Sequence, residues 1–242
     1  KERLLIQQSK LATMGDMIGN ITHQWANPLS IINASSNLIK LNSEFNQLTK
    51  EEVQTSTNTI EHSVEYLSQT VEDFKNFFNP NKKKRHFYID DVFRKTLNII
   101  SSQFDNNFIK IMLNIENYEF YGYENELLQA LVNILKNAKD ELVKVPRNER
   151  RLIFIDVEKV NNNLLIKIKD NANGIDESII NRVFDSYFTT KDELNGTGIG
   201  LYICKKIIED NMCGKISVLN VEYEFEKIDY KGAEFTVTLP FI

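Results

Sequence analysis

Residues 152–174 read LIFIDVEKVNNNLLIKIKDNANG. Leu152–Lys159 and Leu164–Lys169 alternate apolar and polar, with Asn161-Asn162-Asn163 between them as a turn. That pattern predicts two adjacent strands of a hairpin. Asp170-Asn171-Ala172-Asn173-Gly174 then ends the second strand in turn chemistry. Working outward, Asn125–Val143 has helical spacing and Pro146-Arg147-Asn148 turns the chain into the hairpin. Upstream, Asp91–Phe104 reads as a helix and Phe108–Ile115 as a strand. Downstream come a helix over Leu201–Asn211 and strands over Lys215–Leu219 and Glu234–Leu239. Strands interleaved with helices predict one α/β sandwich, and the hairpin signals predict a mixed sheet.

Residues 1–78 are unlike the rest. Leu4, Leu11, Met14, Ile18, Ile21, Trp25, Leu29, Ile32 and Leu38 form one helical apolar stripe. Asn42–Lys50 is polar, and Thr49 followed by Glu51 and Glu52 marks a new helix start. Val53, Ile60, Val64, Leu67, Val71, Phe74 and Phe78 carry the second stripe, which Asn79-Pro80-Asn81 stops. Two helices alone bury little, so the expectation is a hairpin that dimerises into a four-helix bundle; the alternative is a hairpin that packs on its own second domain. The fold class is therefore α+β. A dimerisation hairpin over 1–78 is followed by a linker over 79–86, containing Lys82-Lys83-Lys84-Arg85, and a sandwich domain over 87–242. The basic run reads as a solvated hinge.

The 242 residues carry 29 Lys and Arg against 34 Asp and Glu, a formal net charge of −5. Such a chain lacks the positive field of a non-specific nucleic-acid binder. Two cysteines, Cys204 and Cys213, make no disulfide framework and fit a reducing, cytoplasmic setting. No apolar run has the length of a membrane span, so no membrane contact is expected within this stretch. Lys1-Glu2-Arg3 opens without Met, shows no signal peptide and runs straight into helical spacing. The expectation is a fragment of a longer protein, with any membrane anchor upstream of Lys1.

Several residues carry chemistry. Gly196-Thr197-Gly198-Ile199-Gly200 stands directly before the helix that starts at Leu201. Glycines let backbone N–H groups approach an anion, so this reads as a phosphate cradle, although a tight turn uses the same letters. Asp170 at a strand end can accept from an amino group such as that of adenine; an ordinary Asp/Asn turn is the alternative. Asn133 and Asn137 lie one turn apart on one helix face, where two amide oxygens suit Mg²⁺ held with phosphate oxygens. Phe184, Tyr187, Phe188 and Thr189-Thr190-Lys191 read as a lid, with Lys191 available to an anion. His23 lies five residues before Pro28, which removes a helical hydrogen bond and bends the helix. Asn27 lies one turn from His23 on the same side, where it either acts beside the histidine or caps that bend.

Taken in order, these segments resemble the boxes of sensor histidine kinases of two-component systems. His23-Gln24-Trp25-Ala26-Asn27-Pro28-Leu29 resembles the H-box, in its His-Gln-Trp form. Asn133-Ile134-Leu135-Lys136-Asn137-Ala138 resembles the N-box, Asp170–Gly174 the G1 box, Val183–Lys191 the F-box and Gly196–Leu201 the G2 box. Gly232-Ala233-Glu234-Phe235 through Pro240 resembles the closing segment. The resemblance covers essentially the whole chain. It implies a histidine-phosphotransfer hairpin followed by an ATP-binding sandwich of the Bergerat (GHKL) type.

The resemblance implies that ATP with Mg²⁺ phosphorylates His23, and that a response regulator receiver domain then takes the phosphoryl group onto an aspartate. Asp170 would read adenine, Asn137 would hold Mg²⁺ with Asn133, and Gly174, Lys191, Gly196, Thr197, Gly198, Gly200 and Leu201 would complete the ATP site. Hydrolytic relatives such as gyrases carry Glu four residues before the metal-binding Asn; here that position is Asn133, which is no general base. Gln24 stands where common H-boxes carry an acid, which predicts autophosphorylation slower by roughly tenfold. Ala172 replaces the first G1 glycine, and Asp140 stands where many members carry a basic residue. Asn27 implies a phosphatase activity toward the regulator. The alternatives are a core acting mainly as a regulator phosphatase and a non-catalytic ATP-binding conformational switch.

Overall fold

A computed structural model describes residues 25–45, 48–78, 83–190 and 198–241. A helix over 25–44 (α1) precedes α2 (Lys50–Phe78). The start of α2 is a capping box: the Glu52 carboxylate accepts from the Thr49 N–H and hydroxyl, and the Glu52 N–H donates to Thr49 Oγ1. Along α1, Trp25, Pro28, Ile32, Ser35 and Ile39 are partly or fully covered, whereas Ile31, Leu38, Leu41 and Phe45 are exposed. α2 also lies against two helices of the following domain, α3 (Ile89–Asn106) and α4 (Glu124–Leu142).

The remaining elements are β1 (Arg85–Tyr88), β2 (Ile109–Ile115), β3 (Glu119–Gly122), β4 (Arg151–Val160), β5 (Asn163–Asp170), β6 (Lys215–Phe225) and β7 (Ile228–Pro240). The helix α5 (Gly200–Lys205) continues into a π-helical turn over Lys206–Asn211. Five strands form a sheet in the order β2-β4-β5-β7-β6. β2 runs parallel to β4 and every other pair is antiparallel, so the sheet is mixed as the hairpin signals require. Alternation sorts its two faces. Ile153, Ile155, Val157, Leu164, Ile166, Ile168, Phe235, Val237 and Leu239 are buried in the core with the helices, and Phe154, Asp156, Lys167 and Lys169 lie on the other face. No described helix is long and apolar enough to cross a membrane.

Three features depart from the sequence reading. Arg85 and His86, read as the end of a linker, are strand residues of β1, which pairs with β3. Arg85 and Lys95 both pair with Glu124, a buried carboxylate in the first turn of α4. The buried charge thus fixes the strand after the basic run to the start of that helix. The strands predicted over 215–219 and 234–239 extend into a β6–β7 arm that closes at Glu226-Lys227. Both turn residues have positive φ without being Gly or Asn, so the usual turn signal is missing. Finally, Leu201–Asn211 is helical throughout, but only its first half has α geometry.

Arg151 ties two helix ends to the sheet. It is buried, and its guanidinium donates to the Asn107, Val143 and Val145 carbonyls beyond the ends of α3 and α4. Among the described residues no carboxylate pairs with it, so helix-end carbonyls take up the charge. Arg151→Ala leaves these carbonyls without their donor and is expected to lower the unfolding free energy by about 3 kcal/mol or more. Urea unfolding of the two proteins measures the difference.

Candidate functional site

Asp170 ends β5 and is 4% exposed. Its Oδ1 accepts the Ala172 N–H at 2.9 Å and the Ala233 N–H at 3.2 Å. No described residue bonds Oδ2, so one oxygen is held by the backbone and the other is offered. The Asp170 carbonyl accepts the Tyr223 hydroxyl at 3.0 Å, and a Cβ at Gly232 would come within 1.7 Å of that same oxygen. Burial pushes the Asp170 carboxyl up to about 6, opposed by the Ala172 and Ala233 amides and reinforced by the charge of Glu141. Burial, then the charge of Asp170, pushes the Tyr223 phenol up as well.

The loop after Asp170 is pinned by side-chain amides. Asn171 accepts from the Leu152 N–H at 2.7 Å and donates to the Arg150 carbonyl at 2.8 Å. The Asn173 N–H donates to the Lys231 carbonyl at 3.0 Å, with Asn173 at φ 66° and Gly174 at φ 79°. Asn220 on β6 exchanges two hydrogen bonds with the Ile175 backbone.

α4 carries the second group of candidate residues. Asn133 is buried and its Nδ2 donates to the Gly200 carbonyl at 3.4 Å, which joins the two boxes at the start of α5. The Cys204 thiol donates to the Ala130 carbonyl, and Asn211 donates to Glu126. Glu126, Ala130 and Asn133 lie on one stripe of α4, so α5 and its π turn are fastened along that helix. Burial pushes the Cys204 thiol up to about 12, which keeps it protonated and unreactive. Asn137, a turn beyond Asn133, is half-buried, and Leu201 packs against the core.

The segment read as a lid begins as part of the body. Val183 is buried and Phe184 packs edge-on to Phe235 with ring centres 6.3 Å apart. Gly198 at φ 62° passes so close to this segment that a Cβ would lie 2.4 Å from the Tyr187 carbonyl carbon. Tyr187 is itself at φ 65°, so two left-handed residues face each other where the two boxes meet. Asn27 is exposed on α1, and no described residue bonds its side chain; the Ser30 hydroxyl takes the Ala26 carbonyl near Pro28. His23, Gln24, Lys191, Gly196 and Thr197 lie outside the described residues.

The structure therefore brings Asn133 to Gly200, and Gly198 to the lid stem. A family profile described as histidine kinase-, DNA gyrase B-, and HSP90-like ATPase matches residues 122–242. The chain belongs to this ATPase family. Among its relatives, a putative sensor protein of Shewanella frigidimarina is 26% identical, over 85% of this chain and 34% of that protein. Sporulation kinase A of Bacillus subtilis is 25% identical, over 99% of this chain and 36% of that protein. The chain thus spans a minor part of these relatives' lengths. Of solved structures, the nucleotide-free catalytic domain of histidine kinase ThkA matches with a TM-score of 0.54 at 24% identity, over 66% of this chain and 96% of that one. ThkA in complex with the response regulator protein TrrA matches with a TM-score of 0.52 at 21% identity, over 97% of this chain and 64% of that one. Both likenesses are of fold. The mixed α/β domain is accordingly an ATPase domain of this family, with the fold of histidine kinase catalytic domains, and the helices α1 and α2 precede it.

Asn171, Asn220, Tyr223 and Ala233 were not legible as site residues in this ATPase domain. Their partners are distant in sequence, and only the Gly within a strand at 232 signals a close backbone approach.

The raised Asp170 carboxyl has a stability consequence. Its folded-state value near 6 exceeds the ordinary 3.8, so the stabilisation is full below about pH 4 and is lost as pH rises through about 6. The charged, unliganded site therefore costs on the order of 3 kcal/mol at neutral pH. Asp170→Asn is expected to raise the melting temperature of the unliganded protein at neutral pH and to leave it nearly unchanged near pH 4. Thermal scans at the two pH values read this directly.

Proposed function

We propose that this chain is the catalytic core of a sensor histidine kinase that transfers the γ-phosphoryl group of ATP to His23 and then to an aspartate of a response regulator receiver domain. The observation that carries the reading is Asp170 Oδ2, an offered acceptor on a buried carboxylate of an ATPase domain whose chain also carries His23 in its sequence. In this reading Oδ2 accepts the adenine amino group. Gly174, Gly198, Gly200 and Leu201 line the nucleotide with Gly196, Thr197 and Lys191.

The donor set suits a cation held chiefly by phosphate oxygens. Among the described residues no group of His, Cys, Asp and Glu could hold a metal ion, and α4 presents the amides of Asn137 and Asn133. Asn137, with Asn133, would hold Mg²⁺, which supplies charge neutralisation at the phosphates. Asn133 also positions Gly200, and as an amide it takes no proton from water. His23 acts as the nucleophile through an unprotonated ring nitrogen, a state that an ordinary imidazole with a pKa near 6.5 populates at neutral pH. Gln24 beside it offers a neutral hydrogen bond where an acid would add charge.

The hairpin supports a homodimer. Ile31, Ala34, Leu38, Leu41 and Phe45 follow the three-four spacing of a coiled seam, and the four large ones are 39% to 68% exposed. Val64 and Val71, seven residues apart on α2, are also exposed. Pairing these stripes in a second copy of the chain completes a four-helix bundle. Asn27 supports an additional phosphatase activity: its side chain is exposed, no described residue bonds it, and it follows His23 by four residues in the sequence, so its amide would orient a water toward an aspartyl phosphate.

The reading is tested by incubating the protein and His23→Ala with γ-labelled ATP and Mg²⁺. Label that is acid-labile and alkali-stable on the parent, and absent from the variant, is the expected result. No label on a parent protein that binds ATP would contradict it. ATP affinity should also weaken by about tenfold per pH unit below pH 6, as the Asp170 acceptor takes up a proton. Calorimetric titrations at several pH values check this.

A further inference from the structure

Asn220 on β6 and Ala233 on β7 stand opposite each other in the ladder. The Ala233 N–H reaches Asp170 Oδ1, at the start of the loop over 170–175. The Asn220 side chain takes the other end: its Oδ1 accepts the Ile175 N–H at 2.7 Å and its Nδ2 donates to the Ile175 carbonyl at 2.7 Å. One cross-strand pair therefore grips both ends of the loop. The amide gives Ile175 one donor and one acceptor, as a neighbouring strand residue would. The fit is close, because a Cβ at Gly174 would come within 2.5 Å of Asn220 Oδ1. Gly174 is thus required both by its backbone angle and by the presence of Asn220.

We propose that Asn220 is a positioning residue for the nucleotide: by fixing the backbone after Gly174 it sets the loop over Asp170 Oδ2, and with it the affinity for ATP. The inference rests on Asp170 being the adenine acceptor. The side chain must be an amide. Aspartate keeps the bond from the Ile175 N–H but turns a second oxygen toward the Ile175 carbonyl. Serine offers one short hydroxyl and alanine neither group. Asn171 performs the matching task at the start of β4, where it spans Leu152 and the preceding Arg150, so the loop is clamped by amides on both sides. A residue serving stability alone would alter the melting temperature and leave the affinity of the folded protein untouched.

The test is calorimetric titration of ATP with Mg²⁺ into the full chain and into Asn220→Ala, Asn220→Ser and Asp170→Asn, with a melting curve for each. Asn220→Ala should bind ATP about tenfold more weakly. Its KM for ATP should rise in step, and its maximal labelling rate should stay within about twofold of the parent. Asn220→Ser should recover part of the affinity, and it reports on the site if the alanine variant fails to fold. A folded Asn220→Ala, or in its place a folded Asn220→Ser, that binds ATP as the parent does, while Asp170→Asn does not, would overturn the role of Asn220 alone. Parent-like binding by Asp170→Asn would overturn the adenine reading beneath it.

Discussion

A carboxylate held in a place that resists its charge is the constraint on which the site depends. Asp170 is buried at the end of β5, and burial pushes its carboxyl up to about 6. Two backbone amides, from Ala172 and Ala233, hold one oxygen and oppose that shift. Neither would reach it without the surrounding geometry. Gly232 must lack a side chain to lie against the Asp170 carbonyl, and Tyr223 caps the same carbonyl from the β6–β7 arm. The arm, the loop and the strand end are therefore one unit. A ligand that donates to the second oxygen would recover the desolvation they impose, and in the proposed function this makes an unfavourable charge a recognition element.

The second constraint is α4. Its first turn is fixed by Glu124 between Arg85 and Lys95, and the carbonyls beyond its last turn are held by Arg151. Between those ends, Glu126, Ala130 and Asn133 fasten α5 along one stripe. The glycine-bearing start of α5 thus has a fixed position relative to α4, while Gly198 lies against the Tyr187 backbone. α2 touches both α3 and α4, so it rests in part on the helix that carries Asn133 and Asn137.

Local sequence made much of this legible. The strands around Asn161–Asn163 declare themselves by alternation and turn residues, and β4 and β5 extend the predicted Leu152–Lys159 and Leu164–Lys169 by a residue or so at each end. Thr49 and Glu52 carry the helix start within four residues. Asp170 and Gly174 stand out because turn chemistry follows a strand. The rest depended on residues far apart in the chain. β1 is hidden in a basic run because four residues are too few for a period, and its pairing with β3 is decided by Phe87 and Phe120 in the core. The β6–β7 arm is hidden because Glu222, Glu224, Asp229 and Lys231 dilute its apolar alternation. Asn220 and Asn171 look like any polar residue until the fold brings Ile175 and Leu152 to them. Asn133 was read toward a metal; its bond to Gly200 joins two boxes that lie 67 residues apart.

The account makes the offered oxygen of Asp170 the reader of the nucleotide base, and that claim has a direct measurement. Calorimetry at neutral pH would compare ATP with the purine riboside triphosphate that differs from it only in lacking the 6-amino group. The account predicts that the analogue binds about tenfold or more weakly to the parent protein, and that Asp170→Asn shrinks the difference between the two ligands. Equal binding of ATP and the analogue by the parent would contradict it, because a base whose amino group contributes nothing is not being read by Asp170.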